Sequence, residues 1–218
     1  MDQLQFEVIL LLLLAVVARL AYMIHKITTG SNLYAPKRSA PCKTAICIGS
    51  GGHTTEMLKL IENISFQHYN PRYYFISSSD KTSLRKVTDF ESDKSFAINK
   101  DYFICYIPRS RAVNQSYISS VFTTLISVFY SFPHFLKIRP DMLLCNGPGT
   151  CIPLCIISFV LKCCFICNTR IIFIESFCRT KSFSLTGKIL IYIADNFLVQ
   201  WPYLKIKLKR SEYIGQLL

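Results

Sequence analysis

At 218 residues, 51% of them hydrophobic and 17% charged, the chain has room for one domain and a tether, and it carries a net charge of +12. A soluble domain is usually about 25% charged, so the composition leans towards lipid. The positive balance favours anionic surfaces such as lipid headgroups, phosphorylated ligands or nucleic acid. The ten cysteines do not describe a secreted disulfide scaffold, because most sit in apolar stretches of a chain that is neither short nor loop-rich. They read as small buried hydrophobes, kept as free thiols in a reducing compartment.

In chain order, the first element is an apolar run over Val8–Ile24, broken only by Arg19. With Leu4, Phe6 and Ile27 it reaches the ~20 residues that a spanning helix needs, and residues 4–27 are assigned as a transmembrane anchor. Arg19 is tolerable near its end, where a long stem snorkels to the headgroups. A cleaved signal peptide would open with a basic region, yet this chain opens with Asp2 and Glu7, and its basic residues Lys26, Lys37, Arg38 and Lys43 follow the run. The positive-inside rule then puts everything downstream in the cytosol. Residues 28–41, with Gly30, Pro36 and Pro41, read as a linker, and residues 42–218 as the folded domain.

In that domain short β-rich runs alternate with helical ones, which predicts one parallel sheet covered on both faces, a Rossmann-like α/β fold. Strands are expected at Thr44–Ile48, Tyr73–Ser77, Tyr102–Ile107, Met142–Cys145, Arg170–Ile174 and Asn196–Val199. Helices are expected at Thr54–Asn63, Thr82–Phe90, Ser116–Leu136, Ile152–Cys164 and Thr186–Ile193. The stretch Ser116–Phe135 has no charge and resembles a second span. However, Ser116, Ser120, Thr123, Ser127 and Ser131 line one helical face and leave Ile118, Val121, Phe122, Leu125 and Phe129 on another. A span there would put the glycine loops before and after it on opposite sides of a bilayer. A two-faced domain helix is therefore the expectation.

The sharpest local signal is Gly49-Ser50-Gly51-Gly52-His53-Thr54, between a predicted strand and a predicted helix. Glycines allow the backbone close to a ligand, and the helix N-terminus offers amides and a positive dipole end to a phosphate. The loop lacks the Gly-Lys-Ser/Thr ending of a P-loop. It also lacks the third glycine and the second-strand acid of a dinucleotide fingerprint. A second loop, Asn146-Gly147-Pro148-Gly149-Thr150, again links strand to helix, and a third, Glu175-Ser176-Phe177-Cys178-Arg179, follows another strand. Glu175 suits sugar hydroxyls and Arg179 a phosphate. Arg109 and Arg111 follow the third strand and suit a diphosphate, lipid headgroups or plain solvation. Lys205, Lys207, Lys209 and Arg210, interleaved with Ile206 and Leu208, read as a membrane-facing or solvated edge, too short for a nucleic-acid stripe. Cys164 and Cys167 form a C-x-x-C with Cys151 and Cys155 upstream, but the polar ligand loops that zinc needs are missing, so no metal is expected.

Taken together, Gly49–Met57, Asn146–Thr150, Ile174–Arg179 and Leu198–Trp201 resemble the family of membrane-anchor subunits of the UDP-N-acetylglucosamine transferase that makes dolichol-linked oligosaccharide. Tyr213-Ile214-Gly215 also fits, while Cys178 stands where a small residue is expected. The resemblance implies the acceptor-side half of a GT-B glycosyltransferase, similar to the bacterial MurG transferases but split into two chains. It implies a soluble, donor-binding catalytic partner and a lipid-linked diphosphate sugar acceptor, with no cofactor and no nucleic acid. It also implies a place on the cytosolic face of the endoplasmic reticulum membrane. By the same match Gly49, Gly51, Gly52, His53 and Thr54 would face the acceptor, with Asn146, Gly147, Gly149, Glu175, Ser176 and Arg179 nearby. His53 would serve as general base or as a positioning group. The alternative from another class is a membrane recruitment scaffold with a vestigial pocket.

Overall fold

The computed structural model describes residues 3–30, 38–94, 102–111 and 115–216. Its strands are β1 (Thr44–Cys47), β2 (Arg72–Ser77), β3 (Tyr102–Ile107), β4 (Met142–Asn146), β5 (Arg170–Ile174), β6 (Asn196–Val199) and β7 (Glu212–Tyr213). They form one sheet in the order β3-β2-β1-β4-β5-β6-β7, with every pairing parallel. The helices are α1 (Gln3–Thr28), α2 (Gly52–Ile61), α3 (Lys81–Lys94), α4 (Tyr117–Ile138), α5 (Cys151–Cys163), α6 (Leu185–Leu190) and α7 (Pro202–Lys207). Most of the predicted linker, residues 31–37, lies outside the described residues.

Strands buried on both faces are apolar at successive positions, and β1 shows why. Ala45 and Cys47 join a core with Leu154 and Cys155 of α5 and Phe135 of α4. Ile46 and Ile48 point the other way, against Met57 and Ile61 of α2 and Val87 of α3. Ten of the thirteen α5 residues are buried, so this helix is covered on nearly every side. Its one ammonium, Lys162, is matched by Asp195 at 2.5 Å. A second buried pair, Arg72 with Glu91 at 2.7 Å, ties α3 to β2, and the Tyr74 hydroxyl donates to the same carboxylate at 2.5 Å. Breaking such a pair by removing one partner costs about 3–5 kcal/mol.

Helix α1 joins the α5 side of the molecule. Met23 and Ile27 are buried in its core cluster, and the Arg19 guanidinium lies 5.0 Å from the Phe165 ring centroid rather than standing apart. Above them the helix is a bare apolar rod: Leu11 is 65% exposed and Leu12 64%. Two helical stretches, Gln3–Thr28 and Ile118–Ile138, are long and apolar enough to cross a membrane.

The basic run near the C-terminus departs from its expected role as an edge. It begins as α7, started by Pro202 in the first turn, where a missing amide costs nothing. The Lys205 ammonium donates to the carbonyls of Lys209 and Ser211, and the Arg210 guanidinium to those of Ala194 and Ile191. These cations tie the end of the chain to the domain by satisfying carbonyls at element ends. Leu217 and Leu218 lie outside the described residues.

Candidate functional site

The strand order reverses between β1 and β4, so the crossovers leave these two neighbours in opposite directions. That switch point opens a crevice at the carboxyl edge of an open parallel sheet. Both glycine loops issue there: Gly49–Gly51 between β1 and α2, and Gly147–Thr150 between β4 and α5. A cavity of about 590 Å³ lined by Arg38, Asp141, Arg170, Asn196 and Glu212 sits at the opposite, amino edge, away from these loops.

The loops touch. A side-chain carbon on Gly147 would lie 2.7 Å from His53 Cε1 and 3.2 Å from Ser176 Cβ, and one on Gly49 would lie 2.7 Å from both His53 Cβ and Pro148 Cγ. Glycine at 49 and 147 is therefore what lets three loops close on one another. Gly147 also has φ +67°, and Gly51, at the mouth of α2, has φ +62°, a region L side chains rarely adopt. Around Gly51, Gly52 and Gly149 the space is open, so their backbones are the ones a ligand can approach.

His53 sits in the first turn of α2, with its side chain 35% exposed. Its Nδ1 lies 3.4 Å from Asn146 Oδ1 and 3.7 Å from Glu56 Oε2, so Nε2 is the nitrogen available to a ligand. The Glu56 carboxylate holds the imidazole pKa above its ordinary 6.5; burial opposes this and Asn146 adds to it. Glu56 is the functional residue that sequence reasoning missed. It is buried, and its carboxylate accepts the Ser176 hydroxyl at 2.9 Å, the Phe177 amide at 2.6 Å and the Gln200 side-chain amide at 2.9 Å. Burial pushes this carboxyl upwards, but His53, the Phe177 amide, Asn146 and Ser176 outweigh that and bring it down to about 2. The Trp201 indole adds a bond to the Phe177 carbonyl at 2.7 Å. One carboxylate on α2 thus fastens the loop after β5 and the exit of β6 to the first glycine loop.

Several expected ligand-facing groups turn inwards instead. The Thr54 hydroxyl is buried and donates to the Gly49 carbonyl at 2.6 Å, with Ser83 Oγ also at 2.6 Å, so it props the loop. Gly49 is likewise buried. Glu175 is fully buried, and its carboxylate accepts the Ser176 amide, the Ser184 amide and the Ser184 hydroxyl. It fills the start of α6, where a side chain on Gly187 would collide with it. Burial raises its pKa, and its carboxylate is already engaged by these three donors. Asn146 is buried behind His53, bonding the Ile174 carbonyl at 3.4 Å. Arg179 and Cys178 are exposed on the third loop, and the Cys178 side chain enters no packed core. Arg111 is exposed, its guanidinium donating to the Gln115 carbonyl at 2.9 Å.

Beneath the loops the sulfur atoms of Cys47, Cys145 and Cys151 lie within 4.8 Å of one another, all buried. Cys155 Sγ is 3.6 Å from Cys145 Sγ. Burial pushes the Cys145 and Cys151 thiols well up, while hydrogen bonds with these two bring the Cys47 thiol down to about 5. The C-x-x-C pair stands at the other end of α5, Cys164 exposed and Cys167 half-buried.

The family model described as oligosaccharide biosynthesis protein Alg14 like matches residues 44–217. The UDP-N-acetylglucosamine transferase subunit ALG14 of Rattus norvegicus is 46% identical over 176 residues, covering 79% of this chain and 81% of the relative. Its counterpart of the same name in Yarrowia lipolytica is 42% identical over 204 residues, covering 94% of each. Among solved structures, MurG of Acinetobacter baumannii is similar in fold, with a TM-score of 0.52 at 14% identity, over 75% of this chain but only 43% of the MurG chain.

Proposed function

This chain belongs to the Alg14-like family of oligosaccharide biosynthesis proteins, and from that premise we propose that it is the membrane-anchored, acceptor-binding half of a two-chain UDP-N-acetylglucosamine transferase. A soluble subunit supplies the donor-binding half. The pair adds the second N-acetylglucosamine to N-acetylglucosaminyl-diphosphodolichol at the cytosolic face of the endoplasmic reticulum. Three features support this reading: one Rossmann-like lobe where a GT-B enzyme needs two, the apolar rod of α1, and basic residues placed after it.

The observation that carries the proposal is the convergence of two glycine loops and the Ser176 loop on His53 at the switch point. The acceptor diphosphate sits against the free amides at the mouth of α2, beside the open backbone of Gly149, where the helix end favours an anion. Arg179 approaches from the third loop as its counter-charge. His53, with Nδ1 held on the Glu56 side, presents Nε2 to the attacking hydroxyl of the acceptor sugar and takes its proton as the new glycosidic bond forms and the donor sugar's bond to its phosphate breaks, UDP leaving on the donor-side subunit. Glu56 steadies the imidazolium so produced. Glu175 and Thr54 act from behind by fixing the loops.

The test uses the full chain reconstituted with its soluble partner. His53→Ala should lower sugar transfer by about 10²–10⁴-fold, the usual contribution of a general base, while partner capture persists. Unchanged turnover would remove His53 from the site.

A further inference from the structure

Helix α4 is built inside out for a water-facing helix. Its small hydroxyl residues point into the protein: Ser127 and Ser131 are fully buried, Ser127 Oγ donates to the Pro108 carbonyl at 3.1 Å, and Thr123 Oγ1 to the Ser110 carbonyl at 2.5 Å. Its large apolar residues point out: Ile118 is 79% exposed, Phe122 66% and Phe129 75%, with Val121, Leu125 and Tyr130 along the same side. From Ser116 to Leu136 the chain carries no charged side chain; Lys137 and Arg139 follow at one end, with Arg109 and Arg111 before the other. A surface helix in water shows the reverse arrangement, and an apolar stripe of this size on a single domain marks a contact face.

We propose that α4 lies flat on the bilayer, its outward stripe among the acyl chains and its terminal cations at the headgroups. The proposal rests on the anchored reading given above and deepens it by assigning the membrane-facing side of the domain. The occupant is lipid because α4 and the C-terminal end of α1 both pack against α5, α1 through Met23 and Ile27, and all three lie on the same face of the sheet. The stripe therefore shares its side of the molecule with the rod of α1, which is itself apolar enough to span a membrane. Aliphatic and aromatic side chains with flanking cations are the composition of interfacial helices. Spanning is disfavoured, since α4 joins β3 to β4, whose strands lie in one sheet with the glycine loops at a single edge. With α4 flat, the sheet lies parallel to the membrane about one helix diameter, ~10 Å, above it. The crevice at the carboxyl edge then opens sideways, at the depth of a lipid-borne diphosphate.

Depth-resolved fluorescence quenching of the full chain, in phosphatidylcholine vesicles brominated at different acyl positions, tests this. Phe122→Trp and Phe129→Trp replace outward rings without touching the core, and Trp201 supplies a constant background. Both probes should be quenched at the same shallow depth. Absence of quenching at both positions overturns the proposal, and so does quenching that adding the soluble partner relieves. So do depths differing by the ~10 Å that seven residues span along a vertical helix. Leu12→Trp reads the anchor separately, so failure of the anchored reading and failure of the α4 assignment give different patterns.

Discussion

The Glu56 carboxylate is kept ionised by donors from three separate segments, and its influence on His53 sets how the site responds to pH. His53 is raised above 6.5, so its protonated form persists further into the neutral range, and the base is released only as the pH climbs through that raised value. Transfer by the reconstituted pair should therefore show an acid limb above pH 6.5. Glu56→Gln should move the limb to lower pH and lower the plateau through loosened loops, which a pH–rate profile reads directly. An unmoved limb would disconnect the two residues. For stability the signs run oppositely. The His53 contribution is present below 6.5 and lost as pH rises through the raised value. The Glu56 contribution is present above 4.5 and lost as pH falls towards about 2. Glu56 stood in plain view within the glycine motif, yet its role was not legible. Its partners Ser176 and Gln200 lie 120 and 144 residues away, and a glutamate early in a helix reads as a solvated dipole partner. Glu175 misled for the same reason: only the packing of Ser184 and Gly187 shows that its carboxylate is already occupied.

Among the elements, the strands were the most legible part, because burial on both faces leaves an unbroken apolar run. The expected β3, β5 and β6 match the observed residues, and β1, β2 and β4 differ by one. The two-residue β7 is too short for any pattern, and α7 was hidden by cations alternating with Ile206 and Leu208, a period-two signal over a helical segment. In α4 the two faces were legible from the serine spacing. Which face turned inwards was decided by the carbonyls of Pro108 and Ser110, which need donors. The loops make a sharper claim. Gly147→Val places a β-branched residue at φ +67° against His53, a local conformational cost of about 1–3 kcal/mol before any collision. In the reconstituted pair it should abolish most transfer while the chain still folds and captures its partner, as circular dichroism and co-purification would report. Retained transfer would favour the scaffold with a vestigial pocket.

At the scale of the whole molecule, the described residues form one parallel lobe with both glycine loops at a single edge of its sheet. The buried pairs Arg72–Glu91 and Lys162–Asp195 link α3 to β2 and α5 to the start of β6. A single Rossmann-like unit was legible early, because 218 residues suit one domain and a tether, and on the proposed reading the donor site belongs to the partner. The most direct measurement is sugar transfer from UDP-N-acetylglucosamine to a short-chain N-acetylglucosaminyl diphospholipid by the purified full chain, alone and with its soluble partner. The account predicts no transfer alone and transfer on pairing; robust transfer by the chain on its own would contradict it.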